Sequence, residues 1–206
     1  MRVLGLCRIE ERGALPHLRA GPLALLTTEA PARARLGLCL RAHAALPAFL
    51  PFAVRSAPEP EAALSWAAAR SSLLLDIVER LREHSEMILT LSPPHGPPAP
   101  PTDGLSYLQA RLRSIETQRR LDACLADLAP RALPLPGDSH AVRAESVLLL
   151  PTAEVTAKAR QLAAVCPSEL RLSLRLSGPW PAFIHGARFC NAAGQVSGAP
   201  CAAEPA

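Results

Sequence analysis

Residues 93–104 read PPHGPPAPPTDG, six prolines within a dozen positions. Every proline fixes φ and removes a backbone N–H, so no helix or central strand runs through the segment, and extended, polyproline-like geometry is expected there. The chain of 206 residues is thereby cut into two lengths, each able to bury a modest core of its own. The pattern predicts an N-terminal domain over 1–92, a linker over 93–103 and a C-terminal domain over 104–186. Residues 187–206, rich in Ala, Gly and Pro, read as a flexible tail.

Ahead of the break, RVLGLCRI (Arg2 to Ile9) and PLALLTTE (Pro22 to Glu29) are short apolar runs, the pattern of strands buried on both faces or nearly so. ARARLGLCLRAHAAL fits two periods: Leu36, Leu38 and Leu40 alternate as in a strand, while Leu36, Leu40 and His43 share a helix face. In FLPFAV (Phe49 to Val54), Pro51 confines the segment to an edge strand or a strand entry. From Glu59, Leu64, Ala68, Leu74 or Leu75, Val78 and Leu81 recur at helical spacing, with Glu61, Arg70, Glu79 and Arg82 on the polar side. Met87, Leu89 and Leu91 then alternate as a returning strand.

Beyond the break, Asp103 is placed to cap a helix from Gly104 to about Leu128, with Leu105, Leu108, Leu112 and Ile115 on one stripe. Leu121, Leu125 and Leu128 continue that stripe after a slip, and Arg111, Arg113, Arg119 and Arg120 occupy the other face. PRALPLPGDSH reads as a loop, AESVLLLP as a buried strand, and Thr152 to Val165 as an amphipathic helix capped by Thr152. In the next strand Leu172, Leu174 and Leu176 face inward and Arg171, Ser173 and Arg175 outward. The expected fold class is α+β: two small ferredoxin-like domains, each a mostly antiparallel sheet with helices packed on one side.

Charge and chemistry narrow the function classes. The net charge of +4 is spread along the chain among Asp and Glu, which argues against nucleic acid as a partner. RNA reading on a ferredoxin-like sheet needs aromatic residues on the central strands, and these carry Leu, Arg, Ser and Thr. The first apolar run is interrupted at Arg8, too short for a secretory leader, and no window approaches a membrane span, so a cytoplasmic protein is expected. Six cysteines, Cys7, Cys39, Cys124, Cys166, Cys190 and Cys201, lack any paired spacing, and His185, Cys190 and Cys201 do not make a zinc site. Asp138, Ser139 and His140 are consecutive, whereas a catalytic triad converges from separate elements. No phosphate loop or metalloprotease motif is present, so the chain is not expected to be an enzyme and no cofactor or metal is assigned. A small enzyme, or a nucleic-acid-binding module using the arginine face of 104–128, is the alternative reading.

The strand RLSLRLS runs into Gly178, Pro179, Trp180 and Pro181, in a chain with two tryptophans and one tyrosine. The two prolines stiffen the exit and hold the indole in one direction, as a packing peg or an interface anchor. LSGPWPAFIH resembles the terminal signature of the gas vesicle protein F/L family (GvpF/GvpL), with Phe183 and Ile184 following the corner. AHAALPAFLPFAV is similar to that family's His-containing helix leading into a Leu-Pro strand, and GLSYLQARL, with Tyr107, to its Tyr-Leu helix start. Phe52-Ala53-Val54 stands where the family has a basic residue, Phe and Gly; Ala182 replaces a proline and Phe183 a tyrosine. The resemblance favours helix over Arg33 to Leu46. It implies a non-enzymatic accessory or minor structural protein of gas vesicle assembly, cytoplasmic and vesicle-associated. The implied partners are the small hydrophobic shell subunit and other gas vesicle accessory proteins, with interaction expected at Pro179, Trp180, Pro181 and Phe183 and at Leu50, Pro51 and Phe52.

Overall fold

The computed structural model describes residues 1–54, 57–93, 102–135, 142–165 and 172–192. They form two compact units that interleave along the chain. The first holds Met1–Glu86, Leu149–Ala153 and the described residues from Pro179 onward; the second holds Met87–Leu148 and Glu154–Gly178. The proline-rich stretch suggests a single passage between halves, but the chain passes between units after Glu86, Leu148, Ala153 and Gly178, and the stretch falls inside the second unit. Most of the expected linker lies outside the described residues, as do Asp138, Ser139 and His140.

The sheet of the first unit contains β1 (Arg2–Arg8), β2 (His17–Ala20), β3 (Leu23–Thr28) and β4 (Leu50–Pro51), in the order β2-β3-β1-β4. All three pairings are antiparallel. The β2 strand, only four residues long, went unforeseen; it pairs with β3 across a two-residue turn in which Gly21 takes a φ of 62°. The inner residues of β1 and β3 are buried without alternation, so both faces of the sheet need cover. Val3, Leu6, Leu23, Leu25 and Phe52 pack on one face with Ala63 and Ala67 of α2 (Pro60–Ala68) and Leu74, Ile77 and Val78 of α3 (Ser71–Arg80). Leu4, Cys7, Ala24 and Leu26 on the other face meet Cys39 and Ala42 of α1 (Ala32–Ala45). Helices therefore cover both faces of this sheet, which corrects the one-sided expectation. The helical run foreseen from Glu59 is also divided, because Arg70 leaves helical geometry at φ −131°, ψ 22°.

The second sheet is built from β5 (His84–Ser92), β6 (Leu133–Pro134), β7 (Ala144–Pro151) and β8 (Ser173–Trp180), in the order β6-β7-β5-β8. With strands counted within each sheet, this is the order of the first. Here α4 (Gly104–Leu128) joins the first strand to the second and α5 (Val155–Val165) the third to the fourth. At the place corresponding to α4, the first unit has only a 3-10 turn, Ile9–Glu11. Asp103 does cap α4: its Oδ1 accepts from Ser106 N–H at 2.7 Å, and Ser106 Oγ accepts from Asp103 N–H at 3.1 Å.

Two expectations in this region are corrected. Leu121 and Leu125 are buried, but Leu105, Leu108, Leu112 and Ile115 are exposed. At 100° per residue the two groups lie roughly 140° apart around the helix, so packing one leaves the other outside. Thr152 does not cap α5; it opens a 3-10 turn, Thr152–Glu154, and the helix starts at Val155. In the first unit the chain beyond the corner forms α6 (Phe183–Ala192), with Cys190 buried and Ala187 and Phe189 against the core, so residues 187–192 are no tail.

Candidate functional site

The Gly-Pro-Trp-Pro corner converts a strand into a helix. Gly178 has φ 148°, a conformation glycine tolerates, and β8 ends at Trp180. After Pro181, the N–H of Gly186 donates to the Ala182 carbonyl at 3.0 Å, setting the first turn of α6. Gly186 lies so close to β4 that a Cβ there would stand 2.5 Å from Leu50 Cδ1. Ala182 joins the cluster containing Leu50 and Phe52, and Phe183 packs against the opposite one containing Phe49. The two motifs singled out in the sequence thus meet as one packing unit. Leu50, Pro51, Phe52 and Pro181 are buried, Trp180 and Phe183 half-buried, and Pro179 exposed. The Phe52 ring meets Trp66 edge-on, 5.7 Å between centroids at 73°.

Beside this corner lies a buried polar knot that the sequence reading missed. Glu86, 1% exposed, sends its Oε1 to the start of α6, where it accepts from His185 N–H at 2.6 Å and from His185 Nδ1 at 3.0 Å. A carboxylate from another segment thereby satisfies a helix-start donor and complements the helix dipole. One residue earlier, Ser85 Oγ bonds His43 Nε2 at 2.8 Å and Thr152 Oγ1 at 2.6 Å, while Thr152 N–H donates to the Glu83 carbonyl at 2.7 Å. The knot ties α1, the start of β5, Thr152 and α6 together within the first unit. Burial pushes the His43 imidazole below its ordinary value, with Glu86 pulling it back. Ser85 is fully buried, so its pairing with a histidine offers no nucleophile to a substrate. The available signal was Ser85 and Glu86 themselves, polar residues opening an otherwise apolar strand.

The first unit also carries an open cleft of about 560 Å³ between α1 and the sheet. Leu4, Leu26, Leu15, Leu38, Ala42 and Ala45 line it, with Arg41, Thr28 and Glu29 as polar neighbours. It exists because α1 presents small side chains, Cys39 and Ala42, to a face of large aliphatic ones. Its volume falls within the range of small-ligand and side-chain pockets, and its predominantly apolar lining suits aliphatic groups.

Several arginines carry ion-pair partners. Arg82 bridges Glu11 at 2.6 Å and Glu79 at 2.7 Å, Arg8 pairs with Glu79 at 3.0 Å, and Arg120 with Glu116 at 2.5 Å. Among the described residues, no group of three or more His, Cys, Asp or Glu is placed to hold a metal ion. No described helix is long and apolar enough to cross a membrane.

These observations define an α+β protein with two four-stranded sheets, its first unit bearing an apolar cleft and a helix pinned by a buried carboxylate. The fold is similar to that of gas vesicle protein GvpF. The crystal structure of GvpF from Anabaena sp. PCC7120 matches with a TM-score of 0.61 and 9% identity, over 90% of this chain and 97% of that one. GvpF from Microcystis aeruginosa matches with a TM-score of 0.58 and 10% identity, over 90% and 98%. Neither a protein-family model nor the sequence of a curated protein matches the chain.

Proposed function

We propose that this chain is a gas vesicle assembly factor or minor vesicle component, acting by binding rather than catalysis. The observation that carries the reading is the likeness to GvpF across nearly the full length of both chains. The resemblance of the Gly-Pro-Trp-Pro corner supports it independently. Both sheets are read as ferredoxin-like, the second with the complete β-α-β-β-α-β order and the first with its opening helix reduced to a 3-10 turn.

The partner in this reading is the small hydrophobic shell subunit, together with other vesicle accessory proteins, in the cytoplasm and on the vesicle. A subunit that polymerises through apolar surface exposes that surface beforehand, and a protein that covers it suppresses aggregation. The cleft beside α1 is an accessible apolar surface of the first unit suited to this task, whereas Leu50, Pro51 and Phe52 are enclosed. Pro179 is exposed and within reach of a partner.

The test is capture from growing cells. The tagged protein is crosslinked briefly during vesicle growth and its partners identified, alongside a Leu38→Glu variant with a charge in the cleft. Enrichment of the shell subunit with the parent chain and its loss with a folded Leu38→Glu variant is the expected result. Recovery of nucleic acid, or of nothing related to vesicles, contradicts the reading.

A further inference from the structure

We propose that the first half of α4 is a self-association seam, pairing with α4 of a second copy in parallel. Leu105, Leu108, Leu112 and Ile115 are 67%, 57%, 67% and 43% exposed on a helix whose buried contacts come from Leu121 and Leu125. Their spacings of three, four and three residues are those of alternating a and d positions in a coiled coil. Arg119 would occupy the next a position, so the seam stops at Ile115, and the helix then turns Leu121 inward.

The flanking charges select both the occupant and its direction. In this frame Arg111 is a g position and Glu116 the e position five residues later. A parallel pair of identical helices sets g of one copy against that e of the other, which brings Arg111 to Glu116 of the second copy twice per dimer. The antiparallel pairing that matches the same four apolar layers faces Arg111 with its own copy, a like-charge contact. Arg111 and Glu116 are both exposed, and their present partners, the Tyr107 hydroxyl at 3.3 Å and Arg120, lie on the same helix. A seam this short buries less than the roughly 800 Å² per partner of a standard stable interface, so the dimer is concentration-dependent.

The experiment is sedimentation velocity on the full chain from micromolar to submillimolar concentration. A monomer–dimer equilibrium is expected, and the double variant Leu108→Glu with Leu112→Glu stays monomeric with an unchanged melting curve, because both positions are exposed. Arg111→Glu and Glu116→Arg each raise the dimer dissociation constant about 3- to 10-fold, and combining them restores it to within about twofold of the parent. A monomer at every concentration overturns the proposal. So does a dimer that persists with both seam glutamates, and failure of the combined charge reversal to restore association overturns the parallel register.

Discussion

Replacing Glu86 with Leu removes the one acceptor that two donors of His185 share, while keeping an apolar side chain of similar size. With Glu86 1% exposed and His185 7%, water has no route to replace the lost acceptor. Two buried donors are left unmade, each costing about 1–3 kcal/mol, so the expected loss is about 2–6 kcal/mol. For a chain of this length that corresponds to roughly 5–15 °C in melting temperature. Glu86→Gln keeps a side-chain oxygen for the His185 backbone N–H and should lose less than half as much. Both tryptophans, Trp66 and Trp180, belong to the first unit, so intrinsic fluorescence during thermal and urea unfolding reports on the unit containing the knot. A Glu86→Leu protein that melts with the parent, or a Gln variant as damaged as the Leu variant, refutes the assignment of Glu86 as the cap of α6.

Three further perturbations follow from the same packing. Gly186→Ala places a methyl against fully buried Leu50 and should destabilise by up to about 2 kcal/mol after the gain in helix propensity, whereas Gly37→Ala, whose new Cβ meets nothing nearer than Arg41 at 3.8 Å, should stabilise by up to about 1 kcal/mol. Equal urea midpoints for the two variants would contradict the close approach of α6 to β4. Burial pushes the Cys7 thiol up to about 12 and the Cys39 thiol to about 11 from an ordinary 9.0, so both should resist alkylation at pH 8 until the protein unfolds. Their contribution to stability is complete below pH 9 and lost as the pH rises toward 11–12, and mutating both to Ala should flatten that alkaline decline. The His43 imidazole is held below its ordinary 6.5, so folding favours its neutral form and stability should fall as the pH drops below 6.5. His43→Gln should reduce the difference in urea midpoint between pH 7 and pH 5; an unchanged difference would assign the acid sensitivity elsewhere.

What the sequence revealed was whatever depends on neighbours along the chain. The β1 and β3 strands appear as apolar runs, α4 as a capped helical period, and β8 as an alternation ending at two prolines, because each signal is local. The β2 and β6 strands, four and two residues long, carry too little pattern to stand out, and their assignment rests on the longer partner beside them. The exposed stripe of α4 looked like core because amphipathicity names an apolar face without naming what covers it. Likewise Leu50 and Phe52 were legible as special but not as buried, since their burial depends on α6 returning to β4 from more than a hundred residues away. The polar knot arises from segments distant in sequence, brought together only in the unit made of non-consecutive pieces, whereas the cleft forms within the first 45 residues where α1 lies against the sheet.

The measurement that bears most directly on the central claim places a photo-crosslinking amino acid at position 38, in the cleft, and another at exposed position 113 of α4 as a reference. Each full-length protein is irradiated in cells during vesicle growth, and the adducts are identified by mass. Binding of the shell subunit in the cleft predicts its adduct at position 38 and little at position 113. Equal yields at the two positions, or no shell-subunit adduct at position 38 in cells that are building vesicles, would contradict the account.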